Sequence, residues 1–353
     1  WSIKSLPLAI ATVFGGSIQI IFILIMIKKL KIFKSKNLNK NNYNGDTKSK
    51  VQLQLNKTWK KFLPAAFGGG ILQINLLVDT ILASLLGFGS ISYLYFADRI
   101  AQLPLGIIGI ALGTSLLTSL SKANAIKDAN QFSRELVLSL KIGLFFSIPA
   151  ALVFINFSDL LIKVLFERGE FTFQETIQTS NALLAYAFGV PAFIMLKSCQ
   201  PAFLAQGNTK TPMYIGLALL VLNITLSFIL MNFLEHSGIA LATSIVSWIG
   251  IITYITLLIK TGKITKLKFS FKEEDSNLSS VILYGLKITL ISCLMILSMK
   301  LVQYVLEANN LKEIFVLIFI CVFGFCMYIF TARRFKYIPL ELYQFISLKF
   351  KKA

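Results

Sequence analysis

With 353 residues, 56% of them hydrophobic and only 14% charged, and a mean hydropathy of +0.73, the chain lies outside the range of a soluble domain, in which about a quarter of residues are charged. The same figures exclude disorder and a disulfide-stapled secreted domain. Although 35 Lys+Arg oppose 16 Asp+Glu, the composition also excludes a nucleic-acid-binding fold, so the net charge of +19 must be located along the chain before it is interpreted.

In chain order, stretches of the roughly 20 apolar residues that cross a bilayer fall at 6–27, 62–86, 90–120, 136–157, 177–204, 213–233, 238–259, 281–305 and 314–332. Sustained period-two alternation is absent, so a barrel is excluded and helices remain as the way to satisfy the backbone in lipid. The spacing predicts an all-α integral membrane protein, a polytopic helical bundle of nine spans.

Basic residues mark the cytoplasmic side. The connection after the first span carries eleven lysines, from Lys28 to Lys61, and every second connection after it is again basic: Lys122, Lys127 and Arg134, then Lys210, then Lys260 to Lys272, then the tail from Arg333. The alternate connections hold only Lys163, Arg168 and Lys312. This places Trp1 outside. With no signal-peptide pattern at the start, further residues carrying an odd number of spans are expected upstream. A Cys placed in 28–61, in a protein cleared of its native cysteines, should resist impermeant thiol reagents applied outside intact cells; labelling there would reverse the topology.

Two soft connections divide the chain. The basic loop 28–61 is expected to lie on the inner leaflet, each Lys attracted to anionic lipid by roughly 1 kcal/mol. The linker 261–280 ends in Glu273, Glu274 and Asp275. Between them lies a six-span block, 62–260, and after them a final pair, 281–332, and a basic tail, 333–353.

Catalysis has little support. His236 is the single histidine, expected in a solvated outer turn beside Glu235. Cys199, Cys293, Cys321 and Cys326 all lie inside spans without metal-binding partners and are expected to pack as small apolar residues. Gly68-Gly69-Gly70 and Gly87-Phe88-Gly89 lack the context of a phosphate loop and fit close helix packing and a tight turn. No enzyme activity, cofactor or nucleic-acid partner is expected, and no metal beyond a monovalent cation.

Charge within the bilayer costs at least ~2.5 kcal/mol at mid-helix and marks function by default. In the third span Ser92, Tyr95, Arg99 and Gln102 share one helical face, with Asp98 beside them able to hold or orient the guanidinium. A guanidinium fork suits phosphate or carboxylate, so this face is expected to bind an anion; a tether between helices is the structural alternative. In the second span Asn75 and Asp79 stand at i,i+4, and Asn223, Ser227 and Thr243 offer further oxygens. These five are candidates for coupling to Na+ or H+, or else an interhelical hydrogen-bond network. Lys197, between Pro191 and Pro201, adds a cation and a kink, or snorkels inward.

At this point the residues resemble a family. Phe67 to Asn75 (FGGGILQIN), Asp79, Tyr95 to Ile100 (YFADRI), Gln102 to Gly106 (QLPLG), Leu165 to Thr172 (LFERGEFT), Ala185 to Phe193 (AYAFGVPAF) and Thr209 to Pro212 (TKTP) occur in the order and spacing of the MurJ (MviN) lipid II flippases. The resemblance is close over 6–258 and departs at Asn208, where the family often carries Asp, and at Gln102, where the family sometimes carries an acidic residue. It implies a fourteen-helix transporter of the polysaccharide-flippase and multidrug-exporter (MOP) superfamily, two six-helix lobes around a central cavity plus a final lipid-groove pair. The nine spans then correspond to helices six to fourteen, 1–27 being the last helix of the N-terminal lobe and 62–260 the C-terminal lobe.

The resemblance further implies a multi-pass protein of the bacterial inner membrane, acting in peptidoglycan synthesis. It would move lipid II from the inner to the outer leaflet by alternating access. Arg99, with Asp98, Ser92, Tyr95, Gln102 and Lys197, would face the diphosphate, and the five oxygen-bearing residues around Asp79 would couple an ion. Another MOP-superfamily exporter, or a non-functional fragment of a flippase, are the other readings.

Overall fold

The computed structural model describes residues 6–29, 59, 62, 70–71, 73–262, 278–309, 311–335 and 337–339. Most of the basic loop 28–61, the acidic patch Glu273 to Asp275, Gly68, Gly69 and most of the tail 333–353 lie outside them. The chain divides into two compact units, Trp1–Trp59 and Lys60–Ala353. Among the described residues all regular structure is helical.

The first unit contains α1, Leu6–Lys29. Its 24 residues span about 36 Å at 1.5 Å per residue, enough for the hydrocarbon core. Val13, Phe14, Ile18, Ile21, Phe22 and Ile25 are exposed around its circumference, as on a helix solvated by lipid.

The second unit begins with α2, Gln73–Ser84. The turn Gly87-Phe88-Gly89 follows, and Gly89 at φ +93 takes the left-handed conformation that a side chain would resist. Helix α3, Ser90–Pro104, runs through a π-helical turn at Leu105–Gly109 into α4, Ile110–Ala125. Asp128 caps α5, Ala129–Phe166, by accepting the amides of Asn130 and Gln131 at 3.0 and 2.9 Å. A Thr172/Glu175 capping box opens α6, Phe173–Ala187.

The stretch 177–204, expected as one span, is a bent pair: α6 and α7, Val190–Leu204, meet at 43°. Gly189 and Pro191 interrupt the helix, and carbonyls released there need partners in a medium without water. The Ser244 hydroxyl donates to Ala185 O at 2.7 Å and the Trp248 indole to Phe188 O at 2.9 Å.

Helix α8, Lys210–Lys260, contains 51 residues but is not one rod. Glu235, at φ 50 and ψ −136, breaks it. Were the helix straight, Asn223 and Thr243 would stand about 30 Å apart, yet the Thr243 hydroxyl lies 3.4 Å from Asn223 Oδ1. The element is therefore an antiparallel hairpin of two crossings, matching the separate stretches 213–233 and 238–259. Gly238 makes the reversal fit, since a Cβ there would sit 2.4 Å from Leu230 O. Gly238→Ala should cost about 1–3 kcal/mol through forced backbone displacement. Melting in detergent should fall for Gly238→Ala and hold for Gly87→Ala, whose Cβ meets open space; equal melting of the two would contradict the tight tip.

Helices α9, Leu278–Ala308, and α10, Glu313–Arg334, complete the bundle. They pack on α5 through a core of Phe145, Phe157, Ile288, Ile291, Met295, Val316 and Ile320. The Tyr328 hydroxyl donates to Phe145 O, and Lys163 pairs with Glu313. Two further cores fill the rest of the bundle. Phe132, Leu136, Leu140, Cys199 and Phe203 lie in one, and Leu94, Ala97, Leu183, Tyr186 and Ile239 in the other. Among the described residues five helical stretches are long and apolar enough to cross a membrane, Ser90–Ala125 and the α8 hairpin each counted once, with α6 and α7 together a sixth.

Candidate functional site

Helices α2 and α8 meet through polar side chains. The Asn75 amide donates to Asp79 Oδ2 at 3.1 Å, one turn away on α2. From the first arm of α8 the Asn223 amide donates to Asp79 Oδ1 at 3.1 Å and to Asn75 Oδ1 at 2.8 Å. From the second arm, the Thr243 hydroxyl reaches Asn223 Oδ1 at 3.4 Å and Ile239 O at 3.2 Å. Four of the five predicted residues thus form one network drawn from three helical segments. The fifth, Ser227, is one turn beyond Asn223, fully buried, and its hydroxyl has no hydrogen-bond partner among the described residues. A carboxylate with amide and hydroxyl groups gathered about it can bind a small cation or relay a proton.

The Arg99 face follows from how α3 packs. Leu94, Ala97, Ile100 and Ala101 are buried, which turns Ser92, Tyr95, Arg99 and Gln102 to the exposed side. The Arg99 guanidinium lies 4.8 Å from the centre of the Tyr95 ring, a cation–π contact at i−4. The expected pairing with Asp98 does not occur: Asp98, half-buried, accepts the Gln102 amide at i+4 instead. Adjacent residues diverge by about 100° around a helix, so each long side chain meets a neighbour one turn away. The guanidinium is left without an ion pair among the described residues and open to an incoming anion.

Lys197 sits on a different helix, α7, half-buried. Its backbone carbonyl is 3.1 Å from where a Gly113 Cβ would stand, and its side chain passes Gly109 at the π-helical turn. Glycines at 109 and 113 let α7 approach this closely. Among the described residues no hydrogen bond or ion pair joins Lys197 to the Arg99 face. The kink expected in this span falls at Phe188 and Gly189, beside Pro191, where α6 ends.

Two other expectations are corrected. His236 is not a solvated loop residue but is buried, its Nε2 donating to Gln178 O at 2.9 Å and its ring 5.3 Å from that of Tyr93. The tightness of the hairpin tip tucks it between α3 and α6. Of the cysteines, Cys199 is buried in a core as expected, whereas Cys293, Cys321 and Cys326 are exposed on α9 and α10. Ser244 and Trp248, which hold the α6–α7 break, were missed; the Gly189-Val190-Pro191 sequence signals the break but not its partners.

Known proteins place this architecture. A sequence model described as "Lipid II flippase MurJ" matches residues 1–311. A probable lipid II flippase MurJ from Rickettsia prowazekii is 34% identical over 245 residues, covering 69% of this chain and 46% of the relative. A solved structure of lipid II flippase MurJ in an inward closed conformation superposes with a TM-score of 0.60 at 28% identity, covering 87% of this chain and 59% of that one. An outward-facing multidrug resistance MATE family transporter of the MOP superfamily shares the fold at a TM-score of 0.50 and 18% identity, over 70% of this chain and 53% of that one. The chain thus spans about half the length of the relatives it matches. With the family match running through nearly all the described helices, this multi-pass membrane protein belongs to the lipid II flippase MurJ family.

Proposed function

We propose that the chain carries the C-terminal part of a lipid II flippase of the bacterial inner membrane. It would move a polyprenyl-diphosphate-linked disaccharide-pentapeptide from the inner to the outer leaflet by alternating access. The observation that carries this reading is Arg99, exposed on a polar face of α3, steadied by Tyr95 and not ion-paired with Asp98. A planar fork in a water-filled cavity between low-dielectric walls suits a diphosphate, which it can grip through two oxygens. Ser92, Gln102 and Asp98 would complete that surface, and Lys197 would add a second cation along the path.

Residues 62–260 then act as the C-terminal lobe and 1–27 as the last helix of the N-terminal lobe. The pair 281–332 would guide the polyprenyl tail, and the basic segments 28–61 and 333–353 would rest on anionic lipid. No bond is made or broken, so the chain acts as a transporter rather than an enzyme, and work must come from an ion gradient or the membrane potential. The network around Asp79 would take Na+ or H+. In cells depleted of their own flippase, the full-length protein containing this chain should restore outward exposure of the lipid-linked precursor; failure of a well-expressed protein to do so would refute the reading.

A further inference from the structure

The tip of the α8 hairpin lies at the end of the bundle opposite Lys210 and Lys260, which begin and end that element. Between the tip and α6 opens a cleft of about 480 Å³, within the roughly 300–1,000 Å³ of small-ligand sites. One wall is a single face of α6 carrying Gln178 and Asn181, with Phe188 just past its end; the other is the tip from Phe233 to Ser237. Neither the network around Asp79 nor the Arg99 face contributes to it.

Three features of the cleft point to the same chemistry. Among the described residues its lining holds one carboxylate, Glu235, and no Lys or Arg. Glu235 adopts φ +50, a left-handed conformation that glycine would take more readily, and its side chain stands exposed at the tip. The His236 ring is fixed by donating Nε2–H to Gln178 O at 2.9 Å, which leaves Nδ1 as its acceptor. Carboxylate, imidazole nitrogen and the Ser237 hydroxyl therefore offer a set of acceptors, the pattern that an ammonium with three donors requires. The side-chain amide of Gln178 supplies donors for an adjoining phosphate, and Asn181 stands at the rim. Exposed Phe188 and Phe233 make the remaining lining apolar, where an acyl chain would run.

We infer that this cleft binds a zwitterionic phospholipid whose head carries a primary ammonium beside its phosphate, a phosphoethanolamine-type lipid. A purely anionic head would meet Glu235 with no compensating cation, and a trimethylated head could not donate to the acceptors.

Trp248 reports on the site, because its indole donates to the carbonyl of Phe188, which lines the cleft. With Trp1, Trp59 and any tryptophan outside these 353 residues replaced by Phe, Trp248 is the sole tryptophan. The full-length protein carrying these replacements would be placed in vesicles containing acyl-brominated lipid with an ethanolamine, choline or glycerol head, and quenching of Trp248 would give the relative occupancy. The ethanolamine-headed lipid should be preferred about five-fold over each of the others. Glu235→Gln should bring the ratio near one, and Asn181→Asp, adding a carboxylate at the rim, should raise it. Equal quenching by the three heads, stronger quenching by the glycerol- or choline-headed lipid, or a preference unchanged in Glu235→Gln would overturn the assignment. Should Glu235→Gln fail to accumulate, Asn181→Asp decides alone: a preference that does not rise overturns it.

Discussion

Asp79→Asn should leave the protein folded and able to hold its cargo, yet remove most of the dependence of turnover on a sodium or proton gradient. The substitution keeps the shape and one acceptor of the side chain while removing its charge. That single acceptor can still receive the Asn75 or Asn223 amide, each of which donates at 3.1 Å to the native carboxylate. What is lost is the anion around which a cation would gather. In the arrangement described, two amide nitrogens point at Asp79; turning either amide over would present its oxygen to an ion instead. The hydroxyls of Thr243 and Ser227 stand on the same helix pair, and that of Ser227 has no other partner among the described residues. Interactions with an ionised group contribute about 1.5–3 kcal/mol, so ion affinity should fall roughly ten- to a hundred-fold. Flipping rates in proteoliposomes under imposed sodium or proton gradients check this. Gradient dependence equal to that of the native protein would leave the network a packing device only.

Much of this architecture can be read from residue order, because helices in lipid must be long and apolar and their connections must carry the charge. The hairpin of α8 is an example: Glu235 and His236 interrupt two long apolar runs, and Gly238 follows at once. The network around Asp79 was legible for a related reason, since a carboxylate within a span must find oxygen or amide partners and few residues could supply them. Hydropathy carries no comparable signal for the π-helical turn at Leu105–Gly109 or for the partners of the α6–α7 break. It also cannot separate a core-facing cysteine such as Cys199 from the exposed Cys293, Cys321 and Cys326. The shared face of Tyr95 and Arg99 was legible from helical spacing, whereas the partner of Asp98 was not. Neighbours in sequence diverge around a helix, so Asp98 turned to Gln102 and Arg99 to Tyr95.

That orientation makes Arg99 the residue on which the transport reading rests. Were it a tether, its loss would orphan a carboxylate, lower thermal stability and reduce protein level, and Asp98→Asn would recover part of the deficit. Asp98 is already satisfied by the Gln102 amide, so Arg99→Ala should fold and insert at native levels. Arg99→Lys keeps the charge but loses the two-pronged grip of the guanidinium, and it should also fold. Both variants should fail to move cargo, with a loss of at least ten-fold, because bidentate contacts to a diphosphate are made only by the guanidinium and are strengthened by the low-dielectric walls of a transport cavity. The decisive measurement is outward exposure of the lipid-linked precursor in cells relying on Arg99→Ala or Arg99→Lys protein, with membrane levels quantified alongside. Normal levels with blocked exposure is the predicted result; normal exposure by a well-expressed Arg99→Ala protein would contradict it.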